Sequence, residues 1–534
     1  MNILKRVINK NNLPAIIIFA CLFIYLLSGF NYDFKIYDEG IAVVGANRIA
    51  DGDIPYLDFW TIYPPGQYYL LAFIFKIFGF ELINERICSI LIFFLTAILL
   101  YSISFNLTKS SISIIAPILY VFFISYSTMY GTAMGTSILL TLTSFYYFHK
   151  WIQSPSPKFL FLSSFFAGLT SIFRLDIGIY SILSNFIILF VYYTQLKLTL
   201  KIIIKNLLTL ILGFSIVTIP VYLTLFFYSG FNNVVEQLII FPSKIFPNYR
   251  SLPFPNPFDV FSGESSITFK LNMLWAGIVF YLPLIIYISS IIIVYKNQND
   301  GKIKIEKLKI IHIVISGLFF YMQASIRSDI EHLLPTLFIS SVLLVYIFYI
   351  FGKNKLFKIS FALLTLFLLS APIYKKIELN KQNLVQLKIP RLNGILVNQI
   401  RAFELNIIHN FFKENVRYNE KIFIGNLRHD LIYINDVMMY FILNRMAGTK
   451  YHELSPGQAT KNETQLAIIR DLQKNKVKFI ILRKEELQIP EKNLSSISSG
   501  ITILDDYLEI NFNEVFSTPN YVIKKAIEKK VTLD

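Results

Sequence analysis

The chain predicts a polytopic α-helical membrane protein that ends in a small α/β domain. Three observations carry the prediction. Of 534 residues, 54% are hydrophobic and only 16% are charged, against roughly 25% charged in soluble domains. Apolar runs long enough to cross a bilayer recur between residues 13 and 374. From about Lys375 onward charged residues become frequent and apolar residues turn periodic.

The apolar spans fall at about 13–30, 67–80, 86–106, 112–130, 132–148, 158–174, 176–195, 206–228, 271–295, 309–325, 333–351 and 357–374. The net charge of +16 suggests a nucleic-acid binder only at first sight. Its Lys and Arg cluster in short loops between spans: Lys5/Arg6/Lys10, His149/Lys150 with Lys158, Lys197/Lys201/Lys205, Lys296 to Lys309, and Lys353/Lys355/Lys358. Positive loops stay cytoplasmic, so the balance marks orientation and no nucleic-acid partner is expected. The basic start, followed by a long span with no cleavage pattern, reads as a retained anchor. Cys21 and Cys88 both lie in apolar spans, too few for a disulfide framework or a zinc site.

With the basic loops inside, the segments 31–66, 229–270 and 326–332, the turn at 175 and everything after Lys375 lie outside. The count of spans does not close that way. Starting inside, His149 comes out on the wrong side. Thr108 to Thr132 contains Pro117, Gly131 and several Ser, and reads as two short broken spans, for about 12–13 transmembrane helices in all. The competing solution is that the short run 67–80 does not cross. The expected organisation is a transmembrane module over 1–374, with extracytoplasmic loops at 31–66 and 229–270, and a C-terminal extracytoplasmic domain over 375–534. In that domain the pattern predicts a strand at 420–425, helices at 436–445 and 463–474, a strand at 477–482, a helix at 504–512 and a strand at 521–525.

The chemistry concentrates in the first outside loop. It carries Tyr37-Asp38-Glu39-Gly40, then Arg48, then Asp51-Gly52-Asp53-Ile54-Pro55-Tyr56-Leu57-Asp58. Tyr63-Pro64-Pro65-Gly66-Gln67 follows, then Phe78-Gly79 and Arg86. Adjacent residues on a helix point about 100° apart, so Asp38 and Glu39 cannot both face one atom. One suits a general base and the other a sugar hydroxyl or a cation. Both also fit a pair of solvated interfacial acids.

That order resembles the GT-C fold glycosyltransferases that take a sugar from a polyprenyl-phosphate carrier, including the family 39 protein mannosyltransferases and the aminoarabinose transferase of lipid A. The resemblance is good over about residues 1–195 and in outline beyond. It implies that Asp38 matches the catalytic or acceptor-binding Asp and Glu39 its neighbour. Many relatives carry a phosphate-contacting Lys before the Pro-Pro; here that position is Tyr63. No acid occurs between Tyr101 and Lys150, where some relatives have one. Carrier phosphate must then rest on other cations.

Arg174, in Phe173-Arg174-Leu175-Asp176, is wedged between two spans. The resemblance places a Lys or Arg at this turn toward the phosphate, and a guanidinium fork suits phosphate oxygens. The alternative is a structural ion pair with Asp176. Arg327-Ser328-Asp329 with His332 forms a second cluster that fits phosphate or sugar hydroxyls. Asp329 and His332 leave a divalent cation open, although two ligands do not make a metal site. Arg250 lies in a Pro-rich, aromatic loop suited to a lipid groove or lid. In the C-terminal domain Arg428-His429-Asp430, Asp436, Tyr440, Arg445 and Tyr451-His452-Glu453 stand out, without a readable nucleophile-base set.

The sequence thus predicts an inverting glycosyltransferase of the plasma (inner) membrane, without an obligatory cofactor. Its partners would be a polyprenyl-phosphate sugar, a glycan, lipid or protein acceptor, and membrane lipid. A transporter or flippase of a lipid-linked saccharide is the alternative, and a non-catalytic assembly or sensor protein a further one.

Overall fold

The computed structural model describes residues 13–256, 258, 267–296, 307–484 and 491–527. Lys5, Arg6, Lys10, Pro257 and most of the Lys296 to Lys309 loop lie outside them. The chain begins with α1 (Leu13–Leu27), α2 (Asp38–Ala50) and α3 (Gly66–Phe78). Then come α4 (Leu82–Thr108), α5 (Ile115–Ser127), α6 (Ala133–Gln153), α7 (Pro157–Phe173), α8 (Leu175–Leu196) and α9 (Leu200–Ser229). After the second loop follow α10 (Ile267–Lys296), α11 (Leu308–Ile326), α12 (Ile330–Phe351) and α13 (Lys355–Lys381). Seven of these helices are long and apolar enough to cross a membrane by length and composition. The last runs seven residues past the expected end at 374.

The structure bears on both solutions to the span count. Thr108 to Thr132 is not a broken pair. It holds one helical stretch, Ser111–Ser127, that starts as a 3₁₀ turn and tolerates Pro117 near its beginning. Helix α3 is the shortest of the apolar segments expected to cross. Its 13 residues rise about 20 Å, short of the ~30 Å hydrocarbon core. Leu71, Ala72 and Phe75 on one face pack into a core shared with the C-terminal domain, and Phe75 stacks on Phe441 at 5.7 Å. Tyr69, Phe73, Ile77 and Phe78 on the other face are exposed. That is the division expected of a helix lying along a membrane surface. Lys109, Lys150, Lys158, Lys197 and Lys353 then gather at one end of the bundle, and Asp38, Arg174, Arg327 and the C-terminal domain at the other. His149 is buried in the bundle, its Nε2 3.1 Å from Nδ1 of His312, and is no solvated loop cation.

The second loop is largely helical. A π-helix, Glu236–Ile245, accommodates Pro242 and leads into the short helix Phe246–Arg250. The π-helix is tied to the first loop through Gln237, whose side chain accepts from the Thr61 amide at 3.0 Å and donates to the Tyr56 carbonyl at 3.2 Å.

The C-terminal domain holds a two-stranded pair, β1 (Leu384–Gln386) with β2 (Leu396–Asn398), and then α14 (Gln399–Asn415), β3 (Ile422–Asn426), α15 (Met438–Leu443), α16 (Asn462–Lys474), β4 (Phe479–Arg483), α17 (Ile503–Asn511), β5 (Phe512–Ser517) and β6 (Tyr521–Ala526). The sheet order is β3-β4-β6-β5, with β3 and β4 parallel across α16 and the other pairs antiparallel. All six predicted elements are present within a few residues; β1, β2, α14 and β5 were not foreseen.

This domain has no separate core on its membrane side. Ile41, Val43 and Val44 of α2 share one cluster with Leu392, Ile424, Met438 and Ile481. Backbone bonds stitch the two parts, from the Asp33 amide to the Leu396 carbonyl at 2.7 Å and from the Met438 amide to the Ile36 carbonyl at 2.9 Å. Gly40 explains why the approach is possible: a Cβ there would lie 2.6 Å from the Met438 amide nitrogen. The first loop and the C-terminal domain form one body seated on the bundle.

Candidate active site

Helix α2 opens on Asp38-Glu39, and the two carboxylates part ways. Glu39 turns inward and is 2% exposed. It accepts from Arg86 Nε at 2.5 Å and Nη2 at 2.8 Å, and from the Lys35 amide at 3.0 Å. Arg86 also donates to the carbonyls of Phe30 at 2.6 Å and Asp33 at 2.8 Å. Glu39 therefore fastens residues 30–39 to α4 and reaches none of the cavities described below, so the geometry sets it apart from Asp38.

Asp38 is the first residue of α2, where the helix dipole favours an anion. Its carboxylate has no hydrogen-bond or ion-pair partner among the described residues. It stands at the meeting point of three cavities. A small one of about 80 Å³ also touches Gln67, Arg174 and His332. A second, of about 380 Å³, is walled by Trp60, Tyr63, Arg250, Tyr433 and Glu453. A third, of about 1010 Å³, runs between the start of α2 and the C-terminal domain past Arg401 and Glu404. A further groove of about 440 Å³ is mainly apolar, lined by Ile179, Leu238, Ile239, Pro242, Phe246 and Ile326. Its polar end is Tyr63, Arg174, Arg327 and His332.

The other acids of the first loop are framework. Asp53 holds Arg48 Nε at 2.7 Å, and Asp58 accepts from the Ile54 amide at 2.7 Å. Arg48 also donates to the carbonyls of Asp58 at 2.8 Å and Thr449 at 3.2 Å. Tyr56, fully buried, is held at φ 67, a strained conformation for a non-glycine residue. Its hydroxyl donates to the Tyr63 carbonyl at 2.8 Å, so the loop's framework fixes Tyr63 just before Pro64-Pro65. Burial pushes the Tyr63 phenol well above its usual range, and Asp38 adds to the effect. Tyr63 is therefore a neutral hydroxyl.

The predicted cations differ in availability. Arg174 pairs with Asp176 through Nε at 3.1 Å and Nη2 at 2.8 Å. It nevertheless lines both the small cavity and the apolar groove, so the ion pair does not remove it from the site. Arg327 is engaged on every side. It donates to Asp329 at 2.8 Å, to the Arg250 carbonyl at 2.6 Å and to Glu491 at 2.8 and 3.2 Å. Its geometry is that of a clasp between the α11–α12 turn and the C-terminal domain. Arg250 is the freer cation: its guanidinium lies 4.3 Å over the Tyr433 ring and its buried Nη1 has no partner. Asp329 caps α12, accepting from the His332 amide at 2.9 Å and from His332 Nδ1 at 2.7 Å. That contact orients the imidazole, which borders the small cavity, the second cavity and the groove. Among the described residues no three His, Cys, Asp or Glu side chains converge; Asp329 and His332 remain a pair.

One neighbour of Asp38, Glu331, was not singled out in the sequence, and Glu453 was singled out without a role. Glu331 faces Asp38 and is paired with Lys35. Glu453 reaches the second cavity from the C-terminal domain. The remaining motifs of that domain serve folding. Arg428 pairs with Asp430 at 2.6 Å, His429 with Asp505 at 2.5 Å, and Asp436 accepts from the Tyr521 hydroxyl at 2.5 Å. Tyr440 accepts from the Ile424 amide at 2.9 Å, and Arg445 donates to the Val416 carbonyl at 2.6 Å.

A helical membrane bundle whose first loop and C-terminal domain enclose an acid at the membrane face is the architecture of the GT-C fold. Comparison with known proteins agrees. Residues 63–222 match the family described as dolichyl-phosphate-mannose-protein mannosyltransferase. The crystal structure of ArnT from Cupriavidus metallidurans bound to undecaprenyl phosphate superposes with a TM-score of 0.53 at 11% identity, covering 96% of this chain and 98% of that one. The apo structure of the same protein gives 0.54 at 12% identity over the same shares. No curated protein matches the sequence.

Proposed function

We propose that this chain is an inverting glycosyltransferase that moves a sugar from a polyprenyl-phosphate carrier to an acceptor hydroxyl at the extracytoplasmic face of the membrane. One observation carries the reading: a mainly apolar groove ends on Arg174 and Tyr63, and the small cavity beyond it reaches Asp38, whose carboxylate has no partner among the described residues. The lipid tail lies in the groove with its phosphate at Arg174, the Tyr63 hydroxyl and His332. The sugar projects into the second cavity. The acceptor enters by the wide third cavity.

Asp38 takes the proton of the acceptor hydroxyl as its oxygen attacks the anomeric carbon. The bond from that carbon to the phosphate oxygen breaks, and the electron pair leaves with the phosphate. Fixed cations in a poorly hydrated site stabilise that charge without reorganising. Attack from the face opposite the leaving group inverts the anomeric centre. The family matched over 63–222 and the lipid held by the ArnT structure support a carrier of this class. The basic turns at the opposite end of the bundle support a cytoplasmic placement for that end. The test is turnover of a panel of polyprenyl-phosphate sugars in lipid discs, with the anomeric configuration of donor and product read by NMR. Inverted product supports the reading; retained configuration, or transport of the intact lipid without transfer, refutes it.

A further inference from the structure

The second cavity is walled on one side by the C-terminal domain, and there the buried polar groups lack partners. Glu453 is 1% exposed and, among the described residues, its Oε1 has no hydrogen-bond partner. Ser455, 8% exposed, has an unpartnered Oγ. Both line the cavity, as does Trp60 across from them. Unsatisfied buried polar atoms are costly and mark groups reserved for a ligand.

The segment that carries them is rigidly placed. Asn435 clamps it from both sides of Glu453, donating to the His452 carbonyl at 2.9 Å and accepting from the Leu454 amide at 2.9 Å. The Ser455 amide donates to Gln458 Oε1 at 3.2 Å. The scaffold thus pins the backbone on each side of Glu453 and leaves the side-chain oxygen unused. That is the construction of a binding group set in advance of its ligand. Burial raises the Glu453 carboxyl to about 8, and Asp38 pushes the same way against the Thr61 hydroxyl. At neutral pH it keeps its proton and offers an O–H donor beside an acceptor oxygen. Such a pair suits a hydroxyl, which both donates and accepts.

We infer that Glu453 and Ser455 form a subsite for the hydroxyl groups of the donor's sugar ring, so that the C-terminal domain completes the reaction chamber. The inference rests on the glycosyltransferase reading above and deepens it. The donor sugar is favoured over the acceptor because this cavity shares Tyr63, Arg327 and His332 with the lipid groove. A sugar bonded to a phosphate at that end of the groove adjoins this space. Trp60 lines the same cavity, and a neutral polyhydroxylated sugar matches the two reserved oxygens.

The experiment measures binding, not turnover, so it stands apart from the fate of the catalytic proposal. Intact protein in lipid discs is titrated with short-chain polyprenyl phosphates bearing single neutral sugars and with the bare polyprenyl phosphate. Wild type is expected to prefer at least one glycosylated lipid. Glu453→Met, which fills the same space without a donor, loses that preference by on the order of tenfold, the worth of one buried hydrogen bond. Glu453→Gln, which keeps an N–H, retains most of it. A donor lacking the contacted hydroxyl binds wild type and Glu453→Met alike. Thermal unfolding of both variants checks that they fold, and Ser455→Ala provides a smaller lesion at the same wall. Full preference in both Glu453→Met and Ser455→Ala, or no preference in wild type for any sugar over bare phosphate, overturns the subsite. Absence of turnover together with the predicted binding pattern would refute the catalytic reading while leaving the subsite in place.

Discussion

Replacing Glu39 by Ala removes the anion that holds Arg86, and the structure predicts a stability lesion where the Asp-Glu motif alone suggests a catalytic one. The pair is almost fully buried, with both side chains 2% exposed. At a separation near 2.8 Å the Coulomb attraction at an effective dielectric of 20 is about 6 kcal/mol, much of it offset by desolvation already incurred on folding. Removing one partner leaves the other charged in the interior, at a cost of roughly 3–5 kcal/mol. Glu85 recovers part of this, because its Oε2 lies 3.6 Å from Arg86 Nε. Asp38→Asn, by contrast, removes an unpaired carboxylate and only a helix-terminus interaction, roughly 0.3–1 kcal/mol. Thermal unfolding in lipid discs is the assay, with donor turnover measured on the folded fraction. Glu39→Ala should unfold at markedly lower temperature yet keep much of its specific activity. Glu39→Met with Arg86→Met should regain stability, since an apolar pair needs no solvation. A Glu39→Ala protein as stable as wild type but without turnover would refute this assignment and return Glu39 to the catalytic role the motif suggests.

Further outcomes follow from the same geometry. Arg174→Gln should lower kcat by about 10²–10³, the usual loss for one transition-state donor, with donor binding weakened less; unchanged kcat would remove Arg174 from the phosphate site. Gly40→Ala places a methyl 2.6 Å from the Met438 amide nitrogen and should cost about 1–3 kcal/mol by forcing α2 off the domain, seen as a lower unfolding temperature. The Arg327 clasp predicts an acid limit. Burial pushes both carboxyls up, but hydrogen bonds from His332 to Asp329 and from Arg327, Tyr433 and Asn493 to Glu491 outweigh it and hold each at about 2. A depressed carboxyl stabilises the fold above its ordinary value and ceases to do so as pH falls through the lowered one. Hydrogen-exchange protection at residues 327–332 and 491–499 should therefore be full at pH 5 and decline between about pH 4 and pH 2. Protection unchanged at pH 2 would mean that the clasp contributes nothing to docking.

Much of this architecture was legible because its signals are local. Apolar run length marked the bundle, and the shift in composition near Lys375 marked the second part, although α13 runs on to Lys381. The helical angle between neighbours already implied that Asp38 and Glu39 serve different ends, but their assignment required Arg86, 47 residues away. The packing of helix α3 on the C-terminal domain was not legible, because hydropathy does not distinguish a face packed on protein from one packed on lipid. The remaining acids of the first loop suggested chemistry by their density, whereas Asp53 and Asp58 are spent on Arg48 and a backbone amide. Glu453 lies more than 400 residues from Asp38 in sequence and meets it only through docking of the C-terminal domain, which no periodicity reports. The one available sign was an acid flanked by His452 and Leu454 in a stretch that proves to be buried.

The central claim is that sugar and lipid phosphate part company beside Asp38. Release of free polyprenyl phosphate, counted against sugar transferred in the same lipid discs, tests it most directly when wild type is compared with Asp38→Asn. The account predicts one lipid phosphate released per sugar transferred by wild type. Both are lost in the variant, with donor-lipid affinity unchanged and the unfolding temperature lowered only by the small helix-terminus loss. An Asp38→Asn protein that still releases polyprenyl phosphate at the wild-type rate would contradict it.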